Sequence, residues 1–369
     1  MNYTFLATAA FGLEGVAANE LKRMDLPARA ENGGARFEGS LLDGYRANLC
    51  LRTADRVLLV LAEEKVNTFE DLFQLVSRVA WEQYLTKDAS IHVSGKCVRS
   101  RLMSVRDCQS ISKKAIVQSL MQKLRVNRLP ETGAVYPIDV AIVNDLARIT
   151  LDLSGEALNR RGYRTWNGEA PLRETLAAAL VDLSPWRRGM RLYDPCCGTG
   201  TLLIETAIKA VGRPAGLRRS FACEQYAFMP LAQMKALRSE LSNAYSESEP
   251  FMIAGSDINP EALELCRRHI RQAGFDERIH VSRQDLRTLQ LEGEPGVFLI
   301  NPPYGERISD QKGARELYRE IGLLMKRHPG WKLALITADP AFERSFGRRA
   351  DKKRRLYNGR LECELYLYY

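Results

Sequence analysis

Alternation of apolar and polar positions opens the chain. Residues 3–9 alternate and are β-prone, and residues 13–24 place apolar side chains at helical spacing until Pro27 intervenes. Asn32-Gly33-Gly34 is a turn into a short strand at 35–38; residues 41–51 read as a helix and 56–61 as a buried strand. This β-α-β-α-β alternation predicts a small α+β domain of the ferredoxin-like sort over residues 1–65. A second unit, residues 66–155, shows a helix at 69–79, a strand at 90–98 and a long helix at 107–124 with Ile111, Ala115, Ile116, Leu120 and Leu124 on its apolar face. Two strands, 137–143 and 147–154, close it through Asn144-Asp145.

The basic, loop-like run Ala157-Leu158-Asn159-Arg160-Arg161-Gly162-Tyr163-Arg164 places a linker over residues 156–170, and Pro171 opens a helix to 183. From Met190 onward, strand and helix alternate: strands at 191–193, 251–256, 279–282, 297–300 and 332–337, helices near 201–211, 229–243, 260–273 and 313–327. Such alternation predicts a parallel, doubly wound sheet that binds ligands at the carboxyl ends of its strands, here over residues 171–369. The close differs: Asn358-Gly359 between two β-prone runs signals an antiparallel hairpin.

Composition changes this picture in two ways. The 369-residue chain carries a net charge of +9, which favours a polyanionic partner, although a merely basic soluble enzyme would carry the same sign. Its eight cysteines include no Cys-x-x-Cys pair and no histidine at zinc-ligand spacing, so neither a metal site nor a disulfide framework is expected, and free thiols point to a reducing cytoplasm. Residues 1–18 lack the basic start of a secretion signal and carry Glu14, and no run approaches the length of a membrane span.

Chemistry concentrates in Leu192-Tyr193-Asp194-Pro195-Cys196-Cys197-Gly198-Thr199-Gly200-Thr201. An apolar strand runs into a carboxylate, then a glycine turn, then a helix whose positive end points at the turn. Leu203 occupies the place of a third dinucleotide-fold glycine, and no Lys-Ser/Thr follows as in a phosphate loop. Two further acids follow strands: Asp257 in Gly255-Ser256-Asp257-Ile258-Asn259-Pro260, and Asp285 in Ser282-Arg283-Gln284-Asp285. A carboxylate at the end of the second strand can accept both hydroxyls of a ribose. Either acid alone could be a helix cap, and Glu224, in the long gap between the glycine turn and Asp257, is a rival for the ribose; Asp257 is preferred because it follows a clear strand and precedes a helix opened by Pro260. Asn301-Pro302-Pro303-Tyr304 supplies two acceptors, the Asn301 side-chain carbonyl and the Pro302 main-chain carbonyl, able to hold both hydrogens of an exocyclic amine and favour its pyramidal, nucleophilic form. Tyr304 offers a ring face to a flipped base. A rigid turn after a strand is the plainer alternative for this stretch.

The glycine turn and Asn-Pro-Pro-Tyr together resemble motifs I and IV of class I S-adenosylmethionine-dependent methyltransferases that act on exocyclic amines. With Thr201-Leu202-Leu203-Ile204-Glu205, Asn301–Arg307 and the run 352–359, the chain is similar over nearly its whole length to the THUMP-containing guanine-N2 RNA methyltransferases, in particular the amino-terminal half of the 23S rRNA enzyme RlmL and its shorter homologues. That resemblance implies a seven-stranded Rossmann-like sheet with an antiparallel final hairpin, preceded by ferredoxin-like and THUMP RNA-binding regions. It implies S-adenosylmethionine held by Asp194, Cys196, Gly198, Gly200, Thr201, Asp257, Ile258, Asp285 and Asn301, without a metal. Asp194 would face the methionine part, Asp285 the adenine amine, and the segment 171–176 would pack over the pocket. Asn301, Pro302 and Tyr304 would carry the chemistry, and Lys113, Lys114, Arg348, Lys352, Lys353 and Arg354 would meet RNA. A cytoplasmic monomer or weak homodimer is expected. Transfer RNA as substrate, adenine-N6 methylation, a glutamine side chain of a protein, and a non-catalytic RNA-binding assembly factor remain as alternatives.

Overall fold

The computed structural model describes residues 2–164, 172–246, 248–303 and 308–369. Contacts divide the chain into two units: Met1–Ala9, Ala17–Leu158 and Arg219–Glu240 form the first, and Ala10–Val16, Asn159–Arg218 and Leu241–Tyr369 the second.

In the first unit, β1 (Tyr3–Thr8), α1 (Glu14–Arg23, its first three residues assigned to the second unit), β2 (Ala28–Glu31), β3 (Gly34–Gly39), α2 (Leu41–Cys50) and β4 (Arg56–Lys65) are followed by α3 (Phe69–Ser77), β5 (Ser90–Val98), α4 (Val105–Leu124), β6 (Val135–Val143) and β7 (Leu146–Asp152). Both α2 and α3 start at capping boxes, Ser40 with Asp43 and Thr68 with Asp71, which satisfy the first free amides of each helix. Asn144 and Asp145 both take positive φ, 51° and 64°, as the tight β6–β7 turn requires.

The two regions that the sequence separates at residue 65 share one seven-stranded sheet, in the order β2-β3-β1-β4-β7-β6-β5. Ten-residue β4 makes the join: it pairs with β1 through Val57↔Ala7 and Phe5↔Leu59, and with β7 from Leu58↔Asp152 to Lys65↔Leu146. Strand β2 has no sequence signal; it is held by pairing with β3 and by the Glu31–Arg36 and Glu31–Arg148 ion pairs, both at 2.8 Å.

The stretch 219–240 also belongs to this unit, although its helix reads in sequence as part of the later strand–helix series. Tyr226 stacks on Tyr136 at 4.4 Å and donates to Asp152 O at 2.7 Å; Glu224 accepts from Tyr45 at 2.9 Å and from Arg238. The helix α7 (Leu231–Ala244) starts here, following α5 (Glu174–Leu183) and α6 (Thr201–Val211) of the second unit.

The second unit contains β8 (Leu192–Asp194), β9 (Ile253–Asp257), α8 (Pro260–Ala273), β10 (Ile279–Arg283), β11 (Val297–Ile300), α9 (Ile308–Arg327), β12 (Lys332–Thr337), α10 (Phe342–Phe346), β13 (Lys352–Asn358) and β14 (Leu361–Tyr368). Its sheet runs β10-β9-β8-β11-β12-β14-β13, with β14 antiparallel to both neighbours. The order reverses between β8 and β11, the switch point where such sheets take ligands. Residues 159–164, read as linker in sequence, are built into this unit. Arg161 and Tyr163 are each 4% exposed and meet the fully buried Glu205, with Arg161 Nε 3.4 Å and Tyr163 OH 3.1 Å from its Oε1.

Candidate active site

Strand β8 is buried along its length, which carries the Asp194 carboxylate into the core at the sheet's carboxyl edge. The turn that follows is stitched to the end of β9: Cys197 N donates to Ser256 O at 3.0 Å, and Gly198 N to Asp257 Oδ2 at 2.8 Å. Gly200 sits at φ +84°, where a side chain would be strained, and a Cβ there would lie 2.6 Å from Cys266 Sγ on α8. Gly255 lets β9 approach equally closely; a Cβ would stand 2.8 Å from Asp194 O. Among the described residues no side chain caps α6, so its first amides point into the turn without an intrahelical acceptor.

The result is a cleft of about 550 Å³, lined by Asp194, Cys196, Gly198, Thr201, Asn259 and Asn301 among others. This lies within the size range of cofactor pockets. Leu172, just ahead of α5, is also in its wall, and Arg164 ties that wall together by donating to Leu172 O at 3.2 Å and to Thr201 Oγ1.

Three carboxylates differ in their surroundings. Asp194 is 2% exposed, and among the described residues its one hydrogen bond comes from Cys196 N at 3.0 Å. Burial pushes its carboxyl well above the usual range, and the negative Asp257 adds to the shift. Asp257 ends β9, accepting from Gly198 N and, at 2.9 Å, from Asn259 N; the Asn259 side chain in turn caps α8 through Glu261 N. Ile258 beside it is 59% exposed, an apolar surface unusual for a strand end. Asp285 caps the short turn Leu286–Thr288 and grips Arg287, which holds its carboxyl below the usual range. Of the expected cofactor residues, Gly200, Asp257, Ile258 and Asp285 are absent from the cleft wall, yet Asp285 with Asp194 and Asp257 acts on the Cys196 thiol, which burial and these three charges push up.

Asn301 leaves β11 at the same edge. The pairing Phe298↔Tyr193 sets β11 beside β8, so that Asn301 emerges next to Asp194 with Pro302 buried behind it. Tyr304 lies outside the described residues. Glu224 belongs to the first unit, where Arg238 and Tyr45 occupy its carboxylate.

The basic residues singled out in sequence are mostly engaged. Lys113 pairs with Glu131 at 3.0 Å, Arg348 with Asp351 at 2.9 Å and Lys353 with Glu343 at 3.0 Å, while Arg354 donates to Gly12 O at 2.7 Å. Lys114 and Lys352 are exposed. Exposed pairs of this kind contribute about 0–1 kcal/mol, so phosphates can replace the carboxylates at little cost. Among the described residues no cluster of His, Cys, Asp or Glu could hold a metal, and no helix is long and apolar enough to cross a membrane.

The cleft fits S-adenosylmethionine on its own chemistry. A buried carboxylate with a single donor calls for a cation such as an amino-acid ammonium, and uncapped helix amides call for a carboxylate. Comparison with known proteins agrees. The family profile described as RMKL-like, methyltransferase domain, matches residues 161–366, that of the RlmL ferredoxin-like domain residues 4–58, and that of the THUMP domain residues 66–152. The chain is 37% identical over its full length to YpsC of Bacillus subtilis, whose name proposes an RNA methyltransferase, and covers 96% of that protein. It is 35% identical, again over its full length, to the ribosomal RNA large subunit methyltransferase K/L of Methylococcus capsulatus, but spans only 51% of that longer protein. The crystal structure of SMU.472, described as a candidate methyltransferase and complexed with SAH, superposes with a TM-score of 0.95 at 36% identity, covering 100% of this chain and 98% of that one. By these matches the chain belongs to the RMKL-like methyltransferase family and joins a THUMP domain to an S-adenosylmethionine-dependent methyltransferase domain of the RlmK/L type.

Proposed function

We propose that the chain methylates the exocyclic N2 amine of a guanosine in structured RNA, with 23S rRNA as the substrate. The observation that carries this reading is Asn301-Pro302 at the carboxyl end of β11, with Asn301 in the wall of the same cleft as Asp194. The full-length similarity to an enzyme named for the large ribosomal subunit supports rRNA, and the THUMP domain supports RNA over protein or DNA.

In this reading Asp194 accepts the cofactor's ammonium, Asp257 its ribose hydroxyls and Asp285 its adenine amine, with Ile258 against the adenine face. Bound S-adenosylmethionine supplies an electrophilic methyl group on a sulfonium sulfur. Asn301 and the Pro302 carbonyl accept the two N–H bonds of the guanine amine, drawing its lone pair out of conjugation and aiming it at the methyl. Because β11 is wholly buried and Pro302 restricts the backbone behind Asn301, both acceptors are held before substrate arrives.

The test is methylation of 23S rRNA and of bulk tRNA in vitro, read by nucleoside mass spectrometry. N2-methylguanosine in 23S rRNA is expected; N6-methyladenosine, or modification of tRNA alone, would replace the substrate reading. Asn301→Ala should abolish most turnover while changing cofactor affinity by no more than a few fold. A matching loss of cofactor affinity would make Asn301 a cofactor residue instead.

A further inference from the structure

Phe11 is a large aromatic side chain that is 61% exposed, yet its backbone is pinned. Gly12 takes φ +89° and packs so closely on β13 that a Cβ would lie 2.9 Å from Arg355 O. Gly12 N donates to Glu14 Oε2 at 2.8 Å, and Gly12 O accepts from Arg354. The ring meets Tyr357 edge-on, with centroids 5.5 Å apart and planes at 82°. Tyr357 is fixed in turn: its hydroxyl donates to Glu362 Oε2 at 2.8 Å, and Arg355 Nε lies 3.2 Å from Glu362 Oε1. An edge-on pair leaves ring surface open to a third flat group.

All of these residues belong to the second unit, and β13 is the edge strand of its sheet. Lysine and arginine on an edge strand also guard against pairing with other chains, and Lys352–Arg355 serve that end in any case. That role gives no reason for an exposed phenylalanine held beside them. Nor does it explain why Lys352, at the start of β13, and Arg360, at the hairpin tip, which have no ion-pair partner among the described residues, stand on either side of Tyr357 along the chain. Aromatic rings interleaved with unpaired cations are what a single-stranded nucleic acid requires, bases for the rings and phosphates for the charges.

We propose that Phe11 and β13 form a docking surface for an unpaired stretch of the substrate RNA, on the methyltransferase unit itself. A base stacks on Phe11, buttressed by Tyr357, and the neighbouring phosphates meet Lys352 and Arg360. This surface presupposes the RNA substrate proposed above and places part of the RNA outside the THUMP domain.

The experiment titrates the full chain against a labelled oligouridylate and an abasic strand of the same length, by fluorescence anisotropy over a series of salt concentrations. Phe11→Ala should weaken oligouridylate binding about five- to a hundredfold and leave the abasic strand unchanged, whereas Phe11→Trp should bind at least as tightly as the parent. Phe11→Leu, which keeps an apolar contact to Tyr357 without a ring face, should lose affinity as alanine does. Arg360→Gln should weaken both strands and reduce the salt slope by about 0.7. Phe11→Ala binding oligouridylate as well as the parent, or losing equally on the abasic strand, overturns the surface. So does an unchanged RNA affinity with an altered sedimentation coefficient, which would give Phe11 to a protein contact. If the parent binds neither strand nor rRNA, the RNA substrate itself falls; if the parent binds and the variants match it, only this surface does.

Discussion

Gly200→Ala tests whether the glycine turn is shaped by its neighbours or merely tolerated by them. Two separate costs arise at this position. Holding an L-residue at φ +84° costs about 1–2 kcal/mol, offset in part by about 0.4–1 kcal/mol from a less flexible unfolded chain. The new Cβ would stand 2.6 Å from Cys266 Sγ, which is fully buried and hydrogen-bonded to Cys197, so the sulfur has no open space to move into. Overpacking of that kind adds about 1–3 kcal/mol. The sum, about 1–4.5 kcal/mol, lowers the Tm of a unit this size by roughly 2–18 °C. Calorimetry measures it in the transition that S-adenosylhomocysteine shifts upward, which marks the methyltransferase unit. Cys266→Ala separates the two costs: in a double-mutant cycle it should relieve the packing part, giving a favourable coupling of about 1–3 kcal/mol, and leave the conformational part. A Gly200→Ala variant within about 0.5 kcal/mol of the parent, or strict additivity in the cycle, would refute this account of the turn.

Other outcomes follow from the same geometry. Asp257→Ala should weaken S-adenosylmethionine binding by roughly ten- to a hundredfold in calorimetric titration, while Glu224→Ala, whose carboxylate is held by Arg238 and Tyr45, should leave it unchanged; the reverse result would move the ribose contact to Glu224. Burial raises the folded pKa of Asp194 above its unfolded value, so the unliganded protein loses stability as pH rises from the ordinary carboxylate range through the raised one. Asp194→Asn should therefore raise Tm above that interval while weakening the cofactor, and parallel melting curves across pH for the two proteins would contradict it. Arg161→Met leaves Glu205 charged in the core and should destabilise by about 3–5 kcal/mol in chemical denaturation, whereas Tyr163→Phe should cost about 1.5–3 kcal/mol. An Arg161→Met variant as stable as the parent would return residues 159–164 to the status of a linker.

What was legible in the sequence was whatever depends on local chemistry. Periodicity located β5, α6, α8 and the final hairpin, because each repeats apolar positions at the spacing its own backbone demands; α6 and α8 also end on Gly212 and Gly274, and the hairpin turns at Asn358-Gly359. The glycine turn and Asn301-Pro302 were equally visible, since close backbone approach and a stiff loop need particular residue types. Tertiary structure alone decided the matters that rest on partners distant in the chain. Strand β2 exists because β3 and Arg148 hold it, and two apparent domains become one sheet because β4 runs long enough to pair on both sides. Glu224 and Asp257 look alike as acids, and they part because one meets Arg238 and the other a glycine amide. The basic run 157–164 reads as a linker in sequence. Its Arg161 and Tyr163 are drawn into the core because Glu205, more than forty residues on in an almost wholly buried helix, requires a counter-charge once it is buried.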